Sequence, residues 1–202
     1  MPFSIVRLLV RVLAAGLVMA AAATLPAGAQ QAPAGGTTGG QQQYYTAAEL
    51  IEVGNGFFGD VTAGLASVIE RAVADRGQPN GYVLGEEGGG AFFGGLRYGE
   101  GTLQTRNAAQ QKVFWQGPSL GLDWGADGAR TMILVYNLPS VDAIYGRFAG
   151  VNGSAYFIGG FGITALTRQE ITLVPVRSGI GARIGVNVGY LKFTPTPTWN
   201  PF

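Results

Sequence analysis

The sequence predicts a mainly β protein, a small and strongly curled antiparallel β-barrel of about 8–10 strands with one or two N-terminal helices packed on it. Three observations predict it. The apolar spacing changes from a helical period to strict alternation after Gly81. Turn signals then recur at Asn107, Gly117-Pro118, Asp127-Gly128, Asn152-Gly153 and Ser178-Gly179. Many of the 34 glycines fall inside the strand-like runs, where they permit tight coiling, bulges and close approach at barrel corners.

The chain opens with an export signal. Arg7 and Arg11 form a positive start, Val12 to Leu25 is apolar apart from Thr24, and Ala27-Gly28-Ala29 suits a signal peptidase that cuts before Gln30. Removing the first 29 of the 202 residues leaves 173, a length that suits one domain. The expected organisation is a signal peptide over 1–29, a disordered linker over 30–43 and the glycine-rich barrel domain over 44–202, its helices within 47–76. Gln30 to Gln43 carries no charge and too little apolar surface to order itself. No later segment supplies the roughly 20 apolar residues of a membrane span. The expected location is the periplasm.

Thr46-Ala47-Ala48-Glu49 is a capping box, with Tyr45 and Leu50 as the flanking staple, so a helix should begin at Ala47. Its apolar stripe runs through Leu50, Phe57, Val61, Leu65, Val68, Ile69 and Ala72. Gly54, Gly56, Gly59 and Gly64 interrupt it, which predicts two helices or one kinked helix, with Asp60 as a second N-cap. Gly77 and Pro79 end the helical region. Strands are expected over Tyr82–Gly85, Ala91–Leu103, Lys112–Gln116, Ser119–Trp124, Arg130–Asn137, Ser154–Leu166, Ile171–Val176 and Ala182–Phe193. Met132 to Tyr136 is apolar on both faces, so that strand should be central and covered. Ser140 is expected to cap a short helix over Val141–Phe148. The prolines at 195, 197 and 201 rule out a regular last strand of an outer-membrane barrel, and the tail should pack Trp199 and Phe202 onto the surface.

The composition excludes much chemistry. The chain has no Cys and no His, which removes disulfides, thiol and lipobox chemistry, histidine general bases and the usual zinc ligands. The exported part holds 11 basic and 12 acidic residues, because the signal takes two of the 13 Lys and Arg and none of the acids. That balance attracts neither nucleic acid nor anionic lipid. Gly88-Gly89-Gly90 does not continue into a phosphate-binding fingerprint. Asp123 to Asp127 has too few oxygen donors for a calcium loop and reads as a turn. No metal and no cofactor is expected.

Two sets of residues remain. Phe92, Phe93, Trp115, Trp124, Tyr156, Phe157 and Phe161 sit beside glycines in the strand region; they either line an apolar pocket or fill the core. The ligand-binding candidates are Phe92, Phe93, Trp115, Trp124, Tyr156 and Phe161. A pair of the strand-region acids Glu86, Glu87, Glu100, Asp123 and Asp127 could serve a glycan hydrolase, one as acid and one as base or nucleophile, although neighbours Glu86 and Glu87 should face opposite sides of a strand. No catalytic residue is assigned.

The segments Gly77-Gln-Pro-Asn-Gly-Tyr-Val-Leu-Gly-Glu, Phe92-Phe-Gly-Gly-Leu-Arg-Tyr-Gly-Glu-Gly-Thr-Leu, Val113-Phe-Trp-Gln-Gly-Pro-Ser, Leu134-Val-Tyr-Asn-Leu-Pro and Tyr190-Leu-Lys-Phe-Thr-Pro-Thr-Pro-Thr-Trp-Asn-Pro-Phe closely resemble the EipA-like family of periplasmic envelope-integrity proteins of alphaproteobacteria. The resemblance spans Tyr44 to Phe202. It implies a small periplasmic barrel, needed for resistance to envelope stress and linked to envelope polysaccharide, with no catalytic residues to carry over. More distantly, Gly94-Gly-Leu-Arg-Tyr-Gly-Glu-Gly-Thr-Leu with Trp115 and Pro118 is similar to SYLF-type lipid-binding domains, without their basic stretches. The expected function is a non-catalytic envelope protein that binds a lipid, a glycolipid or an envelope-assembly partner. The alternatives are a carboxylate-dependent cell-wall hydrolase and a protein-only scaffold.

Overall fold

The computed structural model describes residues 43–59, 62–90, 95–118, 129–151, 156–178 and 189–200. The capping box forms as the sequence requires. The Thr46 side chain accepts from the Glu49 backbone N–H at 3.3 Å, and the Glu49 carboxylate accepts from the Thr46 backbone N–H at 2.8 Å. Helix α1 (Ala47–Phe58) starts there and ends at Gly59, whose φ of 85° takes it out of the helix. Helix α2 (Thr62–Arg76) ends before Gly77, at φ 80°. The helical region is thus two helices. Val61 and the expected cap Asp60 lie outside the described residues.

Among the described residues ten strands follow: β1 (Gly81–Gly90), β2 (Leu96–Thr105), β3 (Gln111–Pro118), β4 (Ala129–Tyr136), β5 (Gly146–Gly150), β6 (Tyr156–Ile158), β7 (Phe161–Ile163), β8 (Leu166–Arg168), β9 (Ile171–Ser178) and β10 (Tyr190–Thr194). Eight close into an antiparallel ring in the order β4-β1-β2-β3-β10-β5-β8-β9, with β9 returning to β4. The β6–β7 hairpin lies outside the ring. β7 pairs with the C-terminal part of β9, while β8 pairs with its N-terminal part.

Two expectations are corrected. The expected strand Ser154–Leu166 is three short strands, because Gly159 (φ 57°) and Gly160 (φ 92°) reverse the chain between β6 and β7. The expected helix over Val141–Phe148 is a single 3-10 turn, Val141–Ile144, and Ser140 makes no side-chain cap bond. From Gly146 the chain is strand, since Phe148 is drawn into the barrel opposite Leu191. The expected strand Ser119–Trp124 lies outside the described residues. Of Ala182–Phe193, the described part is strand from Tyr190 onward.

Alternation along the strands builds two cores. Inside the ring lie Val83, Leu103, Val113, Trp115, Ile133, Val135, Phe148, Leu173, Leu191 and Phe193, with Leu138 and Ile144 from the β4–β5 connection closing one end. Outside it, α1 and α2 lay Leu50, Phe58, Leu65, Val68, Ile69 and Ala72 on Tyr82, Met132, Leu134, Phe161, Ile163, Val174 and Val176. Strand β4 faces both cores, and residues 131–136 are all buried, as its two apolar faces require. Each large apolar side chain so buried contributes about 1.5–3 kcal/mol. Gly85 and Gly99 give Trp115 its place: a Cβ on Gly99 would lie 2.2 Å from the ring, and one on Gly85 2.7 Å.

Candidate functional site

The aromatic candidates do not converge among the described residues. Trp115 is in the barrel, stacked on Phe193 at 5.7 Å. Phe161 is in the other core, edge-on to Phe58 at 5.3 Å. Tyr156 opens β6 opposite Ile163, and its side chain lies outside the described residues. Phe157 is exposed. Phe92, Phe93 and Trp124 lie outside the described residues.

The acids are more informative. Glu86 and Glu87 point to opposite faces of β1, as neighbours on a strand must. Glu87 goes inside. Its Oε1 accepts from Arg177 Nε at 3.0 Å, with Arg97 Nη1 at 3.5 Å. Its Oε2 accepts from Arg177 Nη2 at 3.2 Å and from the Trp115 indole N–H at 2.8 Å. Arg97 also donates from Nε and Nη2 to the Pro118 carbonyl at 2.9 and 2.6 Å, which fixes its planar fork. Burial works to raise the Glu87 pKa. The charges of Arg177 and Arg97, with the hydrogen bonds from Arg177 and Trp115, outweigh it and hold the carboxyl at about 2. A carboxylate held this way is a weak base and keeps no proton to donate near neutral pH. Its role is to hold β1, β2, β3 and β9 together inside the barrel.

Glu86 points outward, directly opposite Glu100 on β2, which in turn faces Phe114 on β3. Two residues along, on the same face, Tyr98 faces Gln116. These residues and the C-terminal tail enclose an open groove of about 410 Å³, lined by Glu86, Tyr98, Glu100, Phe114, Gln116 and Trp199, with Glu87 and Trp115 bordering it from the inner side of the sheet. The tail is held by the Tyr98 hydroxyl, which donates to the Trp199 carbonyl at 3.1 Å, and by Lys192 Nζ, which donates to the Asn200 carbonyl at 3.2 Å. The Tyr98 and Trp199 rings meet edge-on at 4.9 Å, and Trp199 is 77% exposed. This is the expected surface packing of the tail at Trp199; Phe202 lies outside the described residues. Lys112 pairs with Glu100 at 3.2 Å and sits 5.1 Å from the centre of the Phe114 ring. Gln116 is 1% exposed, and its Nε2 has no hydrogen-bond partner among the described residues.

Sequence reasoning reached Glu86, Glu100, Trp115 and Trp199 but not Tyr98, Phe114 or Gln116. The available signal was an aromatic on the solvent-facing parity of a strand, beside an acid on the same face. Among the described residues no three acidic side chains gather as metal ligands. No helix there is long and apolar enough to cross a membrane, which says nothing of spans made by strands.

The family described as envelope integrity protein A, EipA, matches residues 43–202. The chain belongs to that family. EipA is named for envelope integrity, and that role is the functional statement membership carries. The fold agrees with a solved member of the same architecture: the crystal structure of a β-barrel-like, uncharacterized protein from Brucella abortus is 60% identical, covering 79% of this chain and 99% of that one, at a TM-score of 0.75. No curated protein matches the chain.

Proposed function

We propose that the protein is a non-catalytic periplasmic component that supports the envelope by binding the polar headgroup of a lipid or glycolipid in the outer groove, not an acyl chain in the barrel. The observation that carries this reading is the contrast between the two spaces. Inside, Trp115, Phe148 and Phe193 are each at most 1% exposed, and the Glu87 cluster fills the ring beside them. The gap near Arg97, Arg177 and Tyr190 holds no space wide enough for a water molecule. The groove is open, falls in the usual volume range of ligand sites, and combines apolar walls with a few placed polar groups.

The purified protein, incubated with envelope lipid extract and examined by native mass spectrometry, is expected to retain a ligand that Trp199→Ala does not. Equal retention by both, or none by either, overturns the reading. The periplasmic part is checked by fractionation and N-terminal sequencing, expected to give Gln30 as the first residue; a chain that keeps its leader in the cytosolic fraction overturns it.

One observation favours the hydrolase as second reading. Direct antiparallel partners place their Cβ atoms about 4.5–5.5 Å apart, and Glu86 with Glu100 is such a pair in a groove. A retaining glycosidase needs its two carboxyls about 5–5.5 Å apart, a separation that glutamates on such neighbours could adopt through their flexible side chains. Against it, Glu100 is 60% exposed and already paired with Lys112, so it is not held free for a substrate. Turnover of purified peptidoglycan that Glu86→Gln abolishes would establish the hydrolase.

A further inference from the structure

We propose that the groove binds an amino sugar, a saccharide ring that carries a free ammonium group. The inference rests on the groove being the ligand site and narrows it to one chemistry. Three features of the groove each ask for a different part of such a molecule.

The first is a carboxylate that makes no ion pair among the described residues. Like charges directly opposite one another destabilise a sheet, yet Glu86 faces Glu100. Lys112 balances Glu100. Arg130, the other cross-strand neighbour of Glu86, turns away instead: its Nη1 donates to the Phe57 carbonyl at 2.8 Å, and its guanidinium lies over the Phe57 ring. Glu86 is left with no cation among the described residues. Lys112 shows which cation the surface accepts, since its ammonium is shared between a carboxylate and an aromatic face.

The second is the Gln116 amide, a buried donor at the groove wall without an acceptor among the described residues. A buried donor left unpaired is costly, so a hydroxyl or ring oxygen that entered this wall of the groove would gain by accepting from it. A bare alkyl ammonium supplies none. The third is the exposed Trp199 ring against Tyr98, an apolar plate suited to the C–H face of a ring. Ammonium, oxygen acceptor and apolar ring face occur together on one hexosamine unit. The same chemistry is presented by a soluble glycan or by a lipid-borne one.

The test is calorimetric titration of the purified protein with a glucosamine tetramer, its N-acetylated counterpart and spermidine. Vesicle co-sedimentation with phosphatidylcholine, with and without a glucosamine-headed lipid, is run beside it. The glucosamine tetramer is expected to bind, the N-acetylated tetramer at least tenfold more weakly, and both Glu86→Gln and Trp199→Ala to lose at least tenfold in affinity with melting temperatures unchanged. Binding to the vesicles and not to the soluble tetramer supports the proposal and assigns the lipid-borne source. Equal binding of the N-acetylated tetramer, spermidine binding that matches the tetramer and ignores Trp199→Ala, or no binding in any arm overturns it. If the ligand from envelope extract still depends on Trp199 while these probes fail, the amino sugar falls and the groove stands; if that dependence is lost, the groove itself falls.

Discussion

Gly99 stands opposite Trp115 so closely that a Cβ on it would lie 2.2 Å from the indole Cε2. The ring itself is fully buried and tied to Glu87, so it cannot swing away without breaking that hydrogen bond. Gly99→Ala is therefore expected to destabilise the barrel by about 1–3 kcal/mol, the range for overpacking a dense core. In the double variant Gly99→Ala/Trp115→Leu the two costs should not add, because the smaller side chain removes the clash. Urea midpoints of the four proteins check this, and simple additivity would show that the two residues do not share the space.

The buried cluster sets the acid response. The Glu87 pKa is lowered from 4.5 to about 2 in the folded chain, so its contribution is complete above about pH 4.5 and is lost as pH falls toward 2. Glu49 acts in the same window: its pKa is also about 2, held down first by the Thr46 backbone hydrogen bond and then by Arg106. Glu87→Gln leaves Arg97 and Arg177 buried without their counter-charge and is expected to cost about 3–5 kcal/mol at neutral pH. It should also flatten the fall in stability between pH 4.5 and 2, leaving the share that belongs to Glu49. Denaturation curves across that range measure both effects, and an unchanged pH slope would exclude Glu87 as a source of acid sensitivity.

The features legible in the sequence are those set by neighbours along the chain. Thr46 and Glu49 cap a helix from three residues apart, Gly77 stops one through its own φ, and Met132 to Tyr136 announces two apolar faces by composition. The opposition of Glu86 and Glu87 was legible for the same reason. Which of the two turns inward was not, because the deciding partner, Arg177, lies 90 residues away. Closure through β9 and β4 and the joining of Trp199 to Tyr98 across 101 residues are equally non-local. The groove was hidden for that reason: its floor comes from three strands and its wall from the tail.

Thr46→Ala removes one half of the capping box, and its loss should stay local to α1. The expected cost is about 1 kcal/mol, the usual value for an N-cap hydroxyl. Glu49 keeps its ion pair with Arg106, so the helix start is weakened but still anchored to the β2–β3 connection. A thermal melt measures the loss, and hydrogen exchange should show faster opening at Glu49 and Leu50 with the barrel amides unchanged. Uniform loosening of the barrel would mean that α1 and the ring unfold as one unit.

Two helical glycines separate propensity from packing. Replacing Gly by Ala inside a helix ordinarily stabilises by about 0.5–1 kcal/mol. At Gly56 in α1 nothing lies within 4 Å of a new Cβ, so Gly56→Ala should realise that gain. At Gly64 in α2 the same Cβ would lie 1.8 Å from the Gly159 carbonyl oxygen, on the turn between β6 and β7. That contact is backbone on both sides and cannot be relieved by rotating a side chain. Gly64→Ala is therefore expected to destabilise, reversing the sign that helix propensity alone assigns, by lifting α2 off the hairpin. Opposite shifts in melting temperature for the two variants support this; a gain at both positions would show that the hairpin moves aside at little cost and that α2 does not depend on it.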